Sequence, residues 1–308
     1  MKILVYGAGP LGSYFAATLR EADLDVTILA RGGRFRSIRW RGIYLEPFEG
    51  GERRRVKVPA VERLGPLDAY DLVMVVVGKN YYYGVLPFLM ANISTPNVLF
   101  MGNNAAGPGE MLEQLGEGRV LLGFPGMSGA MDGSVVRYMS ELTPRITMGE
   151  PDGRTSERLE RFREAFEGAG IEVEVCDDMD SWLKHHAAVV LPLCGAYARA
   201  GGDLEALQGD KEGVALMVGA IREGFEVLRE LGHPLMPERL RRLERTPMFL
   251  LLPLVRRSLN RGEMRHVFAH AEAMKAELAV LDKEFRELID STSVETPSYD
   301  ELSVFLRE

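Results

Sequence analysis

The chain has 308 residues, 46% of them apolar and 27% charged, and carries a formal net charge of −8. That length suits two domains of ordinary size, and the composition excludes disorder as the default state. The acidic balance argues against nucleic acid or an anionic membrane as the main partner, so an anionic ligand must be held by local arginines and lysines.

Ile3 to Tyr6 read as a short buried strand, and Gly7-Ala8-Gly9-Pro10-Leu11-Gly12 follows at once. Leu11, Phe15 and Leu19 then fall at i, i+4 and i+8, one face of a helix. Pro10 suits the first turn of that helix, where a missing N–H costs nothing. Residues 26–30 form a second apolar strand. In this setting Gly7 makes the tight turn, Gly9 lets the backbone approach a pyrophosphate, and Gly12 lets helix pack on strand. The helix N-terminus adds unpaired N–H groups and partial positive charge. A dinucleotide site is expected here. NAD sites place an acid about twenty residues after the glycines, but this chain has Arg31 there, with Arg34 close behind. A guanidinium fork suits a 2′-phosphate, so NADP, as NADPH, is the expected cofactor. The competing reading is a solvated arginine at a strand end.

After an arginine-rich stretch, residues 42–46 and 55–58 look like two short strands around the Gly50-Gly51 turn. Residues 72–77, 97–101 and 120–124 are continuous apolar runs, as strands buried on both faces should be. Helical segments are expected over 83–90 and 109–115. A strand at 145–148, an amphipathic helix at 156–168 and a last strand at 171–176 complete this half. The alternation predicts an α/β fold, a Rossmann-type doubly wound parallel sheet. From Trp182 the β signals disappear and helices are expected over 182–200, 211–231 and 263–289. Ser298 to Glu301 reads as a capping box opening a final helix after Pro297. The expected division is an NADP-binding Rossmann domain over 1–176 and an all-helical domain over 177–308, used for substrate binding and for assembling a homodimer.

The two cysteines, Cys176 and Cys194, lack metal-ligand spacing and fit a reducing compartment. The start of the chain has no charged n-region, and the apolar runs at 187–193 and 248–255 are too short to cross a bilayer. A cytoplasmic protein with no membrane partner is expected.

Ligands of open parallel sheets bind beyond the carboxyl ends of the strands. Lys79 and Asn104 follow two apolar runs at that edge, and Gly107 would let the backbone bend near a ligand. Lys184 heads a largely apolar helix near the domain junction. Its ammonium would protonate an oxyanion formed by hydride addition to a ketone, with burial or a cationic neighbour tuning it. The bland alternatives are solvent-facing polar residues at strand ends and a surface lysine.

Taken together, Gly7-Ala-Gly9-Pro-Leu-Gly12, Arg31, Val77-Gly-Lys79, Asn104-Ala-Ala-Gly107 with Glu110, the Gly123 to Gly133 stretch and Trp182-Leu-Lys184 resemble the ketopantoate reductase family, in order along the whole chain. That resemblance implies reduction of 2-dehydropantoate to pantoate with NADPH, in pantothenate synthesis. It implies Lys184 as general acid, Lys79 and Asn104 lining the cofactor and substrate site, and Gly129 as a backbone position contacting the cofactor. The second half departs from the family. Asparagines that hold substrate one and two turns after the lysine are Ala188 and Pro192 here. A Ser-Ser-Met segment, and a Thr-Glu-x-Asp segment whose glutamate binds the substrate hydroxyl, are not legible. The lost amides predict weaker 2-dehydropantoate activity, or preference for another small branched or aromatic 2-keto acid. A catalytically silent NADP-binding sensor is the alternative from another class.

His266 and His270 lie one helical turn apart, with Glu277 further along. Val267 stands where metalloproteases place a glutamate, so no metal is expected. His186 or His266, with Arg265, are candidates for binding a substrate carboxylate. Tyr81 to Tyr83 read as packing at a helix start, and the arginines of 53–55 and 239–245 as solvated faces.

Overall fold

The structure is a computed structural model that describes residues 1–139, 143–259, 268 and 274–307. Two compact units emerge from its internal contacts. The first comprises Met1–Gly102 and Pro108–Met179, the second Asn103–Gly107 and Asp180–Glu308.

The first unit holds twelve strands among the described residues: β1 (Lys2–Tyr6), β2 (Asp25–Leu29), β3 (Ile43–Pro47), β4 (Arg54–Val56), β5 (Ala60–Val61), β6 (Leu72–Val75), β7 (Val98–Met101), β8 (Val120–Pro125), β9 (Gly129–Asp132), β10 (Val135–Tyr138), β11 (Arg145–Gly149) and β12 (Glu172–Val175). Eight of them form one sheet in the order β12-β11-β8-β7-β6-β1-β2-β5. Every neighbouring pair is parallel except β8 with β11. The chain builds outward from β1 on one side through β2 and β5, then on the other through β6, β7 and β8. This is the doubly wound arrangement, with its switch point between β1 and β6. Residues 2–6 and 72–75 are buried almost throughout because both faces of these strands are covered. Helices Pro10–Glu21, Tyr82–Ala91, Gly109–Leu115 and Glu157–Gly168 lie where the periodicity predicts helix.

A second sheet, β4-β3-β10-β9, was only half visible in the sequence. The β3–β4 hairpin matches the two short strands expected around Gly50-Gly51. β10 pairs parallel with β3 across ninety intervening residues, about which local patterning is silent. The arginine-rich stretch is also ordered, as helix Gly32–Arg41.

The second unit is helical in its described residues, led by Met179–Arg199, Lys211–Glu230 and Lys275–Asp290. Its core gathers Leu191, Val218, Phe225, Leu281 and Phe285. The contact boundary falls after Met179, whose side chain packs where a Cβ on Gly149 of β11 would sit. One expectation fails here. Ser298 makes no capping bond in the helix Pro297–Ser303. Instead the Ser298 and Tyr299 N–H groups donate to the Glu223 carboxylate at 3.1 and 2.8 Å. A carboxylate from another helix satisfies the orphan N–H groups that the local box would have served. No described helix is long and apolar enough to cross a membrane.

Candidate functional site

The dinucleotide half of the site is built at the end of β1. Gly7 adopts φ +123°, and a Cβ there would lie 2.3 Å from the Val76 carbonyl oxygen, so only glycine makes this turn. A Cβ on Gly12 would lie 2.1 Å from the Gly7 carbonyl oxygen, which shows how closely the helix approaches the turn. Gly9 is the opposite case, with no atom within 4 Å of where its Cβ would be. It caps the helix Pro10–Glu21 without a side-chain hydrogen bond. The first-turn N–H groups therefore keep their donors for a ligand. Gly129, at the start of β9, lies against Pro10 and Leu11 and brings a second backbone segment to this turn. A turn glycine at 7, an open one at 9 and a tightly packed one at 12 are what a pyrophosphate requires, so the residues present fit a dinucleotide.

Arg31 follows β2 and is exposed. It donates from Nη2 to the Tyr6 hydroxyl at 3.0 Å and lies 5.5 Å from the Phe88 ring. Arg34 behaves differently. It is part-buried and its guanidinium is committed to Ala8, Ser13 and Ser134. Lys79 sits on the short 3-10 turn after β6, buried, with Nζ 5.1 Å from the Tyr82 ring.

Lys184 and Asn104 belong to the helical unit. Lys184 is 4% exposed and forms an ion pair with Asp180 one turn earlier on Met179–Arg199. Of the two tuning influences expected, burial is present, while the charged neighbour is a carboxylate and not a cation. Gly107, at φ +86°, closes over this pair: a Cβ there would lie 3.0 Å from Asp180 Oδ1 and 3.1 Å from Lys184 Nζ. Asn104 is buried and closes its own loop, donating from Nδ2 to the Gly107 carbonyl oxygen at 2.8 Å. The structure thereby groups Asn104, Gly107 and Lys184 in one unit and Lys79 with the glycines in the other.

Sequence reasoning missed the residues that hold this loop. The Glu284 carboxylate accepts from the Ala105 and Ala106 N–H groups at 3.1 and 3.2 Å. Glu277, one residue type earlier noted only beside histidines, accepts from Asn103 Nδ2 at 2.8 Å. The signal available was two acids seven positions apart on the helix Lys275–Asp290, on a face that also buries Leu281 and Phe285. Asn103 Oδ1 is buried with no hydrogen-bond partner among the described residues. Ala188 is fully buried, with its methyl 3.0 Å from the Cβ position of Gly224, so helix packing occupies the place where an asparagine was looked for.

The histidines divide. His266, His270 and Arg265 lie outside the described residues. His185 bonds through Nδ1 to the Ser181 carbonyl at 2.7 Å. His186 stacks on Trp182, and burial, with the Arg239 guanidinium adding to it, pushes its imidazole down to about 4. At neutral pH it supplies no positive charge for a carboxylate. Because the folded value lies below the unfolded one near 6.5, stability is fully present above about pH 6.5 and declines as pH falls toward 4, by about 3 kcal/mol at most. We expect His186→Phe, which keeps the stack, to lose less unfolding free energy between pH 7 and pH 4.5 than the parent. Equal acid losses in the two denaturant titrations would refute this. Burial also pushes the Cys176 thiol up to about 11 and Cys194 up to about 12, so neither is a thiolate nucleophile at neutral pH. No group of His, Cys, Asp and Glu with the makings of a metal site occurs among the described residues.

A sheet of this strand order, with an open glycine turn at its switch point, defines the Rossmann class of dinucleotide-binding proteins. Residues 3–153 match the family model described as ketopantoate reductase PanE/ApbA. Over its first half the chain is thus similar to the ketopantoate reductase family. A 2-dehydropantoate 2-reductase of Mesorhizobium japonicum is 29% identical over an alignment of 210 residues that covers 60% of this chain and 63% of that protein, under two thirds of its length. Among solved structures, a ketopantoate reductase of Ralstonia solanacearum, described as putative, superposes with TM-score 0.81 at 20% identity, covering 99% of this chain and 96% of that one. A D-mandelate dehydrogenase solved with NADH and anilino(oxo)acetate superposes with TM-score 0.80 at 15% identity, covering 99% and 97%. At such identities these structures establish the fold. The family members are oxidoreductases that use a nicotinamide dinucleotide.

Proposed function

We propose that the chain is an NADPH-dependent reductase of a small 2-keto acid, with 2-dehydropantoate the foremost substrate and Lys184 the proton donor. The observation that carries this reading is the buried Lys184 ammonium, held by Asp180 and closed over by the positive-φ Gly107. A buried ammonium fixed by one ion pair suits protonation of an oxyanion more than it suits stability. Bound NADPH would supply the hydride. The Gly9 turn and the helix N-terminus would hold its pyrophosphate, and Arg31 its 2′-phosphate. Lys184 Nζ donates the proton to the carbonyl oxygen as charge develops there. Glu277, on the helix Lys275–Asp290 and bonded to Asn103, would accept from a substrate hydroxyl.

Two measurements test this. Arg31→Ala should cost on the order of 1.5–3 kcal/mol of NADPH affinity and leave NADH binding near its starting value. Equal dissociation constants for the two cofactors in titration calorimetry of the parent would sink the NADPH preference. NADPH oxidation over a panel of 2-keto acids tests the reaction. Ala188 and Pro192 favour a second reading, in which another branched or aromatic 2-keto acid is preferred. A kcat/KM for 2-dehydropantoate above about 10⁴ M⁻¹s⁻¹, and well above every other acid, would exclude it. Saturable NADPH binding with no turnover on any acid would instead make the chain a silent binder.

A further inference from the structure

Arg34 makes a closed network of hydrogen bonds at the glycine turn. Its Nε donates to the Ala8 carbonyl oxygen at 3.2 Å and its Nη2 to Ser13 Oγ at 2.8 Å. The Ser13 hydroxyl in turn donates to the same Ala8 oxygen at 3.1 Å. The third arm, Nη1, reaches the Ser134 carbonyl at 3.0 Å, in the turn between β9 and β10. Ser13 is fully buried, and burial pulls the Arg34 guanidinium below its ordinary value.

The geometry points to Arg34 as a positioning residue that aims the Gly9 N–H at the cofactor's pyrophosphate by clasping the Ala8 carbonyl, while leaving the 2′-phosphate to Arg31. The link is the planarity of the peptide. In a trans peptide the carbonyl and the N–H point in opposite directions. Two donors that pin the Ala8 oxygen therefore fix the direction of the Gly9 N–H. That N–H leaves from the opposite edge of the same peptide, at the glycine with open space where its Cβ would be. A planar fork with three arms already spent on neutral oxygens is poorly disposed to bind a further anion. Arg31, exposed and bonded to one hydroxyl, is not so committed. The Ser134 contact adds that the small second sheet braces the turn, so the hairpin β9–β10 contributes to cofactor affinity through Arg34. This inference rests on the nicotinamide-dinucleotide reading of the glycine turn.

The test compares dissociation constants of NADPH, NADH, ADP-ribose and 2′-AMP for the parent, Arg34→Met, Arg34→Lys and Ser13→Ala, by fluorescence titration well below each protein's Tm. Arg34→Met should weaken NADPH, NADH and ADP-ribose by a common factor of about ten, leaving 2′-AMP unchanged. Arg34→Lys keeps the charge but not the fork and should not restore binding. Ser13→Ala, a smaller change that keeps the fold if the arginine variants do not, should move the same three ligands in the same direction. A loss confined to NADPH and 2′-AMP would make Arg34 a 2′-phosphate ligand and overturn the proposal. Unchanged affinities with a lowered Tm would also overturn it, leaving Arg34 a purely structural brace. If the parent binds no dinucleotide at all, the cofactor reading itself falls, and the proposal with it.

Discussion

Lys184→Ala is expected to lower kcat by about two to four orders of magnitude while leaving the NADPH dissociation constant near that of the parent. The split follows from where the residue sits. Lys184 is in the helical unit, whereas the glycine turn, Arg31 and Gly129, which would hold the dinucleotide, are in the other. Its ammonium is buried against Asp180 and Gly107, and alanine offers no proton in its place. Asp180 is left without its ion-pair partner, so some stability is lost as well, and kinetics must be read below the variant's Tm. Stopped-flow turnover with the best 2-keto acid, alongside cofactor titration, separates the outcomes. A parent-like kcat would remove Lys184 from the mechanism; a parallel collapse of NADPH affinity would mean the variant had lost its fold.

The second large effect concerns Gly12. Inside an ordinary helix, Gly→Ala stabilises by about 1 kcal/mol, because alanine loses less backbone entropy. At Gly12 the sign should reverse. The added methyl would sit 2.1 Å from the Gly7 carbonyl oxygen, which is backbone and belongs to the same turn that must receive the pyrophosphate. We expect Gly12→Ala to lose about 1–3 kcal/mol of stability by overpacking, and to weaken NADPH and NADH alike by at least about tenfold as the turn is pushed outward. Gly9→Ala is the control. Its methyl meets nothing in the protein, so stability should hold while cofactor binding weakens, because the space it fills is the ligand's. A Gly12→Ala protein as stable as the parent, with unaltered cofactor affinity, would show that helix and turn are less tightly apposed than the structure has them.

The catalytic half of the site was less readable than the dinucleotide half, and particular residues show why. Lys184 stands out as a charge at the head of an apolar helix, yet nothing in the local pattern marks Asp180, one turn earlier, as its ion-pair partner. Asn104 follows a strand, but no local pattern shows that residues 103–107 cluster with the helices and not with the sheet. Glu277 and Glu284 were acids on an amphipathic helix until the fold brought Asn103, Ala105 and Ala106 to them. Arg34 stands close behind Arg31 in the sequence, and only the positions of Ala8, Ser13 and Ser134 show that all three of its nitrogens donate within the protein.

What the sequence determined by itself is therefore the β1–helix–β2 unit, the alternation that makes a doubly wound sheet and the helical character of the second half. Each rests on short-range physics: side-chain periodicity within one element, a glycine that alone tolerates φ +123°, a proline at a helix start. The tertiary structure decided the β3–β10 pairing, the capping of the last helix by Glu223 and the loop held by Glu277 across 174 residues of chain. A carboxylate or guanidinium on a helix surface carries no local mark of which distant donor or acceptor it will meet. That choice is made when the cores close and each buried polar group must find a partner.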